Sequence, residues 1–170
     1  GRFFRNAIGL PAGGFKPGGG MYVEDGNPVL VSVFFVENRA VGSGGGVYSI
    51  AGMLYLTHVH FEENEAANGG GMANVRGTAN MRSLRFTGNV AKQFGGGLYT
   101  VSASNTESIA RGYDVYLESN QAQGDNSGGG GGIFNTGSLQ IERAWFYHNE
   151  ATSGTGRGGA IYLTARRPAR

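Results

Sequence analysis

The chain has 170 residues, of which 33 are glycine, about a fifth against an average near ~7%. Four prolines, the lack of a Gly-X-Y period and a hydrophobic content of 39% exclude a Pro/Gly linker, a collagen and a globally disordered chain. A net charge of +2 is too small to argue for a nucleic-acid partner, and with no cysteine there is no disulfide framework and no Cys-based zinc site.

Along the chain one motif recurs: Phe-x-x-Asn-x-Ala, a short loop, a glycine cluster and an apolar pair. A partial copy comes first, with Phe3, Asn6 and then Gly18-Gly19-Gly20-Met21-Tyr22. Phe35, Asn38 and Ala40 lead to Gly44-Gly45-Gly46-Val47-Tyr48. Phe61, Asn64 and Ala66 lead to Gly69-Gly70-Gly71-Met72-Ala73. Phe86, Asn89 and Ala91 lead to Gly95-Gly96-Gly97-Leu98-Tyr99. Leu117, Asn120 and Ala122 lead to Gly131-Gly132-Ile133-Phe134, and Phe146, Asn149 and Ala151 to Gly158-Gly159-Ala160-Ile161-Tyr162.

Upstream of each Phe the copies still agree. Two residues before it stand Val33, Val59, Leu84, Val115 and Ala144; five before, Leu30, Leu56, Met81, Gly112 and Ile141; seven before, Pro28, Leu54, Ala79, Ala110 and Leu139. Spacing of two is strand alternation, and the slip of three marks a bend that keeps the inward face. No apolar stripe at helical spacing occurs. Strands of three to five residues, repeated every ~25 to 30, describe a right-handed parallel β-helix of about six coils. Propeller blades need ~40 residues or more, and the Leu-x-x-Leu-x-Leu pattern of a leucine-rich repeat is missing.

Equivalent positions of a parallel solenoid stack ~4.8 Å apart. Phe35, Phe61, Phe86 and Phe146 are thus expected to form an internal column. Asn38, Asn64, Asn89, Asn120 and Asn149 are expected to form an amide ladder, placed there because Asn tolerates left-handed backbone and both donates and accepts. After the glycines, alternation puts Val47, Met72, Leu98 and Ile133 inside and the row holding Tyr48 and Tyr99 outside. Phe34, His60, Arg85, Tyr116 and Trp145, each just before the Phe position, also face outward. Phe34, His60, Tyr116, Trp145, Tyr48 and Tyr99 are therefore the candidates for binding a protein partner or a glycan.

These residues resemble the repeats of the chlamydial polymorphic outer-membrane proteins, surface autotransporters marked by Phe-x-x-Asn and Gly-Gly-Ala-(Ile/Leu/Val). Phe35/Asn38, Phe61/Asn64, Phe86/Asn89 and Phe146/Asn149 fit the first motif, and Gly158-Gly159-Ala160-Ile161 fits the second. The other copies have Gly in place of Ala, and Leu117 replaces Phe. The resemblance implies a β-helix passenger, exported, surface-exposed and adhesin-like, and carries over no catalytic residue. The alternative location is a large organellar or membrane-associated complex.

Reactive constellations are sparse. His58 and His60, two apart, with Glu62, Glu63, Glu65 and Glu37, suggest a cation site only weakly, since neighbouring coils do not repeat them. A carbohydrate-active β-helix is the alternative class; it needs paired carboxylates or a basic residue with a calcium cluster, and Asp25, Asp114 and Asp125 show no pairing across coils. Gly128 to Gly132 lacks the Lys of a phosphate loop, and the threonines form no regular ice-binding array. No catalytic, metal-ligating or cofactor-binding residue is assigned. Residues 1–165 read as one β-helix domain and 166–170 as a basic tail. Phe3 and Tyr162 fall inside motif copies, so the expectation is a segment of a longer solenoid or a subunit of an assembly, with a neighbouring copy at its ends.

Overall fold

The computed structural model describes residues 1–8, 14–103, 106–124, 128–152 and 156–164. Asp125 and the basic tail from Arg166 to Arg170 lie outside them, as do Asn126 and Ser127 of the glycine-rich loop. Among the described residues the chain is all β. It winds as a parallel solenoid with three sheets, each six strand levels deep along its main path, which is about five full turns. No helix among them is long and apolar enough to cross a membrane.

Sheet A carries the bend. Its levels are Arg2–Phe4, Phe34–Val36, His60–Glu62, Thr78–Thr87, Ile109–Glu118 and Ser138–Tyr147, with Val29–Val31 and Met53–Thr57 extending the early levels. Sheet B follows the Asn turn and is short, with Arg39–Ala40 and Glu65–Asn68 among its strands. Sheet C follows the glycines and includes Val47–Ile50, Met72–Val75, Leu98–Val101 and Ile133–Asn135. Every pairing is parallel and joins equivalent repeat positions, as in Phe35↔Phe61, Phe86↔Phe61 and Phe86↔Leu117.

The strands of sheet A depart from the expected length. Three of them run for 10 residues, because pairing with the adjacent levels continues on both sides of the bend. The bend sits on Ser32, His58, Ser83, Asp114 and Arg143, three before the Phe position, all with φ between 53° and 56° or at 52°. One left-handed residue resets the alternation, so Leu56 and Val59, or Met81 and Leu84, both point inward.

The interior is a set of columns. Phe35, Phe61 and Phe86 are fully buried, and their rings stack at 5.2 and 4.8 Å within 8° of parallel. Leu54, Leu56, Val47, Met72, Leu98 and Ile133 fill the remaining walls. The glycine column exists because the coils touch there. A Cβ on Gly71 would lie 2.7 Å from the Gly97 carbonyl oxygen and 2.9 Å from the Phe86 ring. No side chain fits between backbone and ring at that distance.

The Asn column is placed as a ladder, but its backbone differs from the expectation. None of the Asn residues is left-handed; the preceding residue is, namely Glu37, Glu63, Gly88, Ser119 and His148. That residue turns the chain, and the Asn after it is free to extend its amide along the solenoid axis.

Candidate functional site

Sheet A brings the outward column together. The register pairs Phe34 with His60, His60 with Arg85, Arg85 with Tyr116 and Tyr116 with Trp145. Phe34 packs on His60 with ring centres 4.6 Å apart, and the Arg85 guanidinium lies 4.6 Å above the Tyr116 ring. Trp145 is 51% exposed and Phe34 40%; Arg85 is exposed as well, and His60 and Tyr116 between them are half-buried.

The bend makes this column the wall of a groove. His58, Ser83, Asp114 and Arg143 sit at the bend, and His60, Arg85, Tyr116 and Trp145 rise beside it, enclosing about 540 Å³. His58 and His60 do not share one strand face, as their spacing suggests. His58 is the left-handed bend residue and His60 belongs to the strand beyond it, so they border the groove from two sides. Burial, then the Arg85 charge, pushes the His60 imidazole below its ordinary value of 6.5. Asp114 is the one carboxylate in the lining, and Arg143 Nε stands 2.9 Å from its Oδ1. Arg143 also donates to the Tyr113 hydroxyl at 2.8 Å.

Tyr48 and Tyr99 are corrected as open binding residues. Their row does face outward from sheet C, but Tyr48 is buried in it and Tyr99 half-buried, while Tyr22 stays 49% exposed. Tyr48 is only 5% exposed, stacked on Tyr22 at 5.6 Å and met edge-on by Phe15 at 5.8 Å. Tyr99 stacks on Phe134 at 5.4 Å, and Phe94 lies 4.6 Å from Phe134. Burial raises the pKa of both tyrosine hydroxyls. Phe15 comes from the segment before the Met21–Glu24 strand and Phe94 ends the sheet B strand Val90–Phe94; neither carries a repeated sequence signal.

Two of the acidic residues near His58 and His60 are engaged elsewhere. Glu37 pairs with Arg5 at 2.7 Å, and Glu65 with Arg39 at 3.0 Å. Among the described residues no three His, Asp or Glu side chains gather as a metal ligand set. The residues after the Leu98–Val101 strand form a short excursion, bridged at Ala103 and Thr106, before the next sheet A strand begins at Ile109.

One further column gives no signal in the motif. Ser49, Asn74, Thr100 and Asn135 occupy the same position of sheet C and point inward. Asn74 caps the next corner by donating to the Gly77 carbonyl at 2.9 Å, and Asn135 donates likewise to Gly137. The hint is the small polar residue three after the last glycine, a weak pattern because Ser, Asn and Thr alternate there.

Fold and face together define a parallel β-helix repeat protein with an open, aromatic and cationic groove at the bend of sheet A. Residues 83–101 match the family model of the Chlamydia polymorphic membrane protein repeat. The matched segment holds Phe86, Asn89 and the glycines before Leu98, so the chain carries a β-helix repeat of that type. None of the curated proteins and none of the solved structures matches the chain.

Proposed function

We propose that the chain is a non-enzymatic binding solenoid, an exported adhesin-like surface passenger or scaffold subunit that engages its partner through the outer face of sheet A. The observation that carries this reading is the outward column in register from Phe34 through His60, Arg85 and Tyr116 to Trp145, exposed at Phe34, Arg85 and Trp145. Large rings set in register on a rigid sheet present contact area at little cost in conformational entropy. The repeat match supports a surface location, since the family is one of membrane proteins by its description. A carbohydrate-cleaving alternative needs two carboxylates across one bond. The groove offers Asp114 alone, already paired with Arg143.

The test is adhesion. Beads coated with the chain are applied to cultured epithelial cells, alongside beads bearing Phe34→Ser, Tyr116→Ser and Trp145→Ser together. Wild-type beads should adhere and the variant beads should not, with the β circular dichroism of both proteins the same. Equal adhesion would sink the reading, and so would turnover of a uronate polymer by the wild-type chain.

A further inference from the structure

The groove at the bend of sheet A differs from the rest of the column in its balance of donors and acceptors. Its lining supplies the guanidinium groups of Arg85 and Arg143, the imidazoles of His58 and His60, the Tyr116 hydroxyl and the Trp145 indole N–H. Against these donors stands one carboxylate, Asp114, whose charge Arg143 already balances. Arg85 has no ion pair among the described residues and touches Tyr116 only through its face, which leaves its in-plane N–H groups directed at solvent. A groove so rich in donors is complementary to a ligand rich in acceptors and negative charge.

Glu62 and Glu118 hold the next outward position along the strands of His60 and Tyr116, on the side away from the bend. Their carboxylates repel an anion from that edge, so the cationic side of the groove is the one at Arg85. Shape adds length to the argument. The lining comes from four successive levels of parallel strands, so the groove runs along the solenoid axis with one set of side chains every ~4.8 Å. That rise is close to the length of one pyranose unit in an extended chain. Trp145, the exposed ring at the last of these levels, stands where a sugar ring would stack.

We infer that the bend groove of sheet A binds an anionic polysaccharide laid along the solenoid axis, with Arg85 on its carboxylate or sulfate groups and Trp145 under one of its rings. This inference rests on the binding reading given above and names the ligand class for the same face.

Trp145 is the single tryptophan of the chain, so its fluorescence reports on this groove alone. The probes are a heparin hexasaccharide, hexagalacturonate and the neutral maltohexaose, each titrated into the whole chain at low and at high salt. Either or both anionic oligomers should shift the emission saturably, more weakly in high salt, while maltohexaose leaves it unchanged. Preference between the two anions tells sulfate from carboxylate recognition. Arg85→Gln should weaken binding about tenfold, the worth of one charge-assisted contact, and Arg85→Lys should recover part of the loss. Arg85 is exposed and unpaired, so the variant keeps the fold, which circular dichroism checks. Equal response to maltohexaose, or unaltered affinity in Arg85→Gln, would overturn the inference. If no oligomer binds but adhesion still depends on Phe34, Tyr116 and Trp145, the glycan inference falls and the binding face survives. If adhesion is equally insensitive, both fall.

Discussion

The side-chain amide of Asn64 donates to Asn89 Oδ1 at 2.9 Å in one direction along the solenoid and to the Phe35 carbonyl at 2.8 Å in the other. Its own Oδ1 accepts from the backbone and side-chain nitrogens of Asn38, at 2.9 and 3.0 Å. The same arrangement joins Asn89 to Asn120 and Asn120 to Asn149. Both hydrogens of each internal amide are used, and the aligned amides polarise one another in one sense. A buried polar column is therefore compatible with a dry core.

Asn64→Ala should lower stability by about 2–3 kcal/mol, because in a fully buried setting it removes the side-chain donor to the Phe35 carbonyl and to Asn89 Oδ1 and the acceptor of both Asn38 nitrogens. Asn64→Asp should cost more, since a carboxylate would face the Phe35 oxygen and Asn89 Oδ1 with no hydrogen to give either. Urea midpoints of the two variants check the order; Asp milder than Ala would contradict the ladder.

Thr100 gives the opposite expectation. Its Oγ1 is buried without a hydrogen-bond partner among the described residues, so Thr100→Val removes an unsatisfied hydroxyl and keeps the shape. Stability should stay the same or rise by up to about 1 kcal/mol. A clear loss in the same denaturation assay would show that the hydroxyl is bonded after all.

Gly71→Ala should destabilise strongly although it adds a single methyl. The new Cβ would meet the Gly97 carbonyl oxygen at 2.7 Å, and backbone stacked between two coils yields little. The expected cost is about 1–3 kcal/mol. A neutral effect on thermal unfolding would mean that the coils are further apart than described.

His60 makes stability and binding depend on pH in opposite senses. Its folded pKa lies below 6.5, through burial first and then Arg85, with Glu62 opposing and His58 adding to the shift; Phe34 packs on the ring. In the groove it also shares the space with Asp114 and Arg143. Below 6.5 the unfolded chain takes up the proton first, so the folded state loses stability as pH falls from 6.5 through the folded pKa. His60→Gln should flatten that part of the urea-midpoint profile relative to wild type. An anionic oligosaccharide favours the protonated ring, so its affinity should rise over the same interval. A wild-type and variant pair with superimposable profiles would remove His60 from the account.

The columns were legible because repetition of a side chain at fixed spacing leaves a mark that needs no tertiary information. Phe35, Phe61 and Phe86 could only recur so if they stacked, and Asn38 to Asn149 only if their amides met. The left-handed residue before each Asn was hidden, since Glu37, Glu63, Ser119 and His148 share no chemistry that advertises positive φ.

Exposure was the least readable property. Tyr48 and Trp145 are both large rings on outward positions, and alternation treats them alike. Sequence by itself determined the winding, its inward columns and the outward sense of both rows, because each follows from local period and side-chain identity. Only tertiary structure decided that Phe15 packs on Tyr48 and Phe94 on Phe134 in the sheet C row, while the bend at His58, Ser83, Asp114 and Arg143 opens a groove beside Trp145. Packing and opening depend on where non-repeated side chains come to rest and on how two halves of a bent strand face each other, and neither leaves a period to be read.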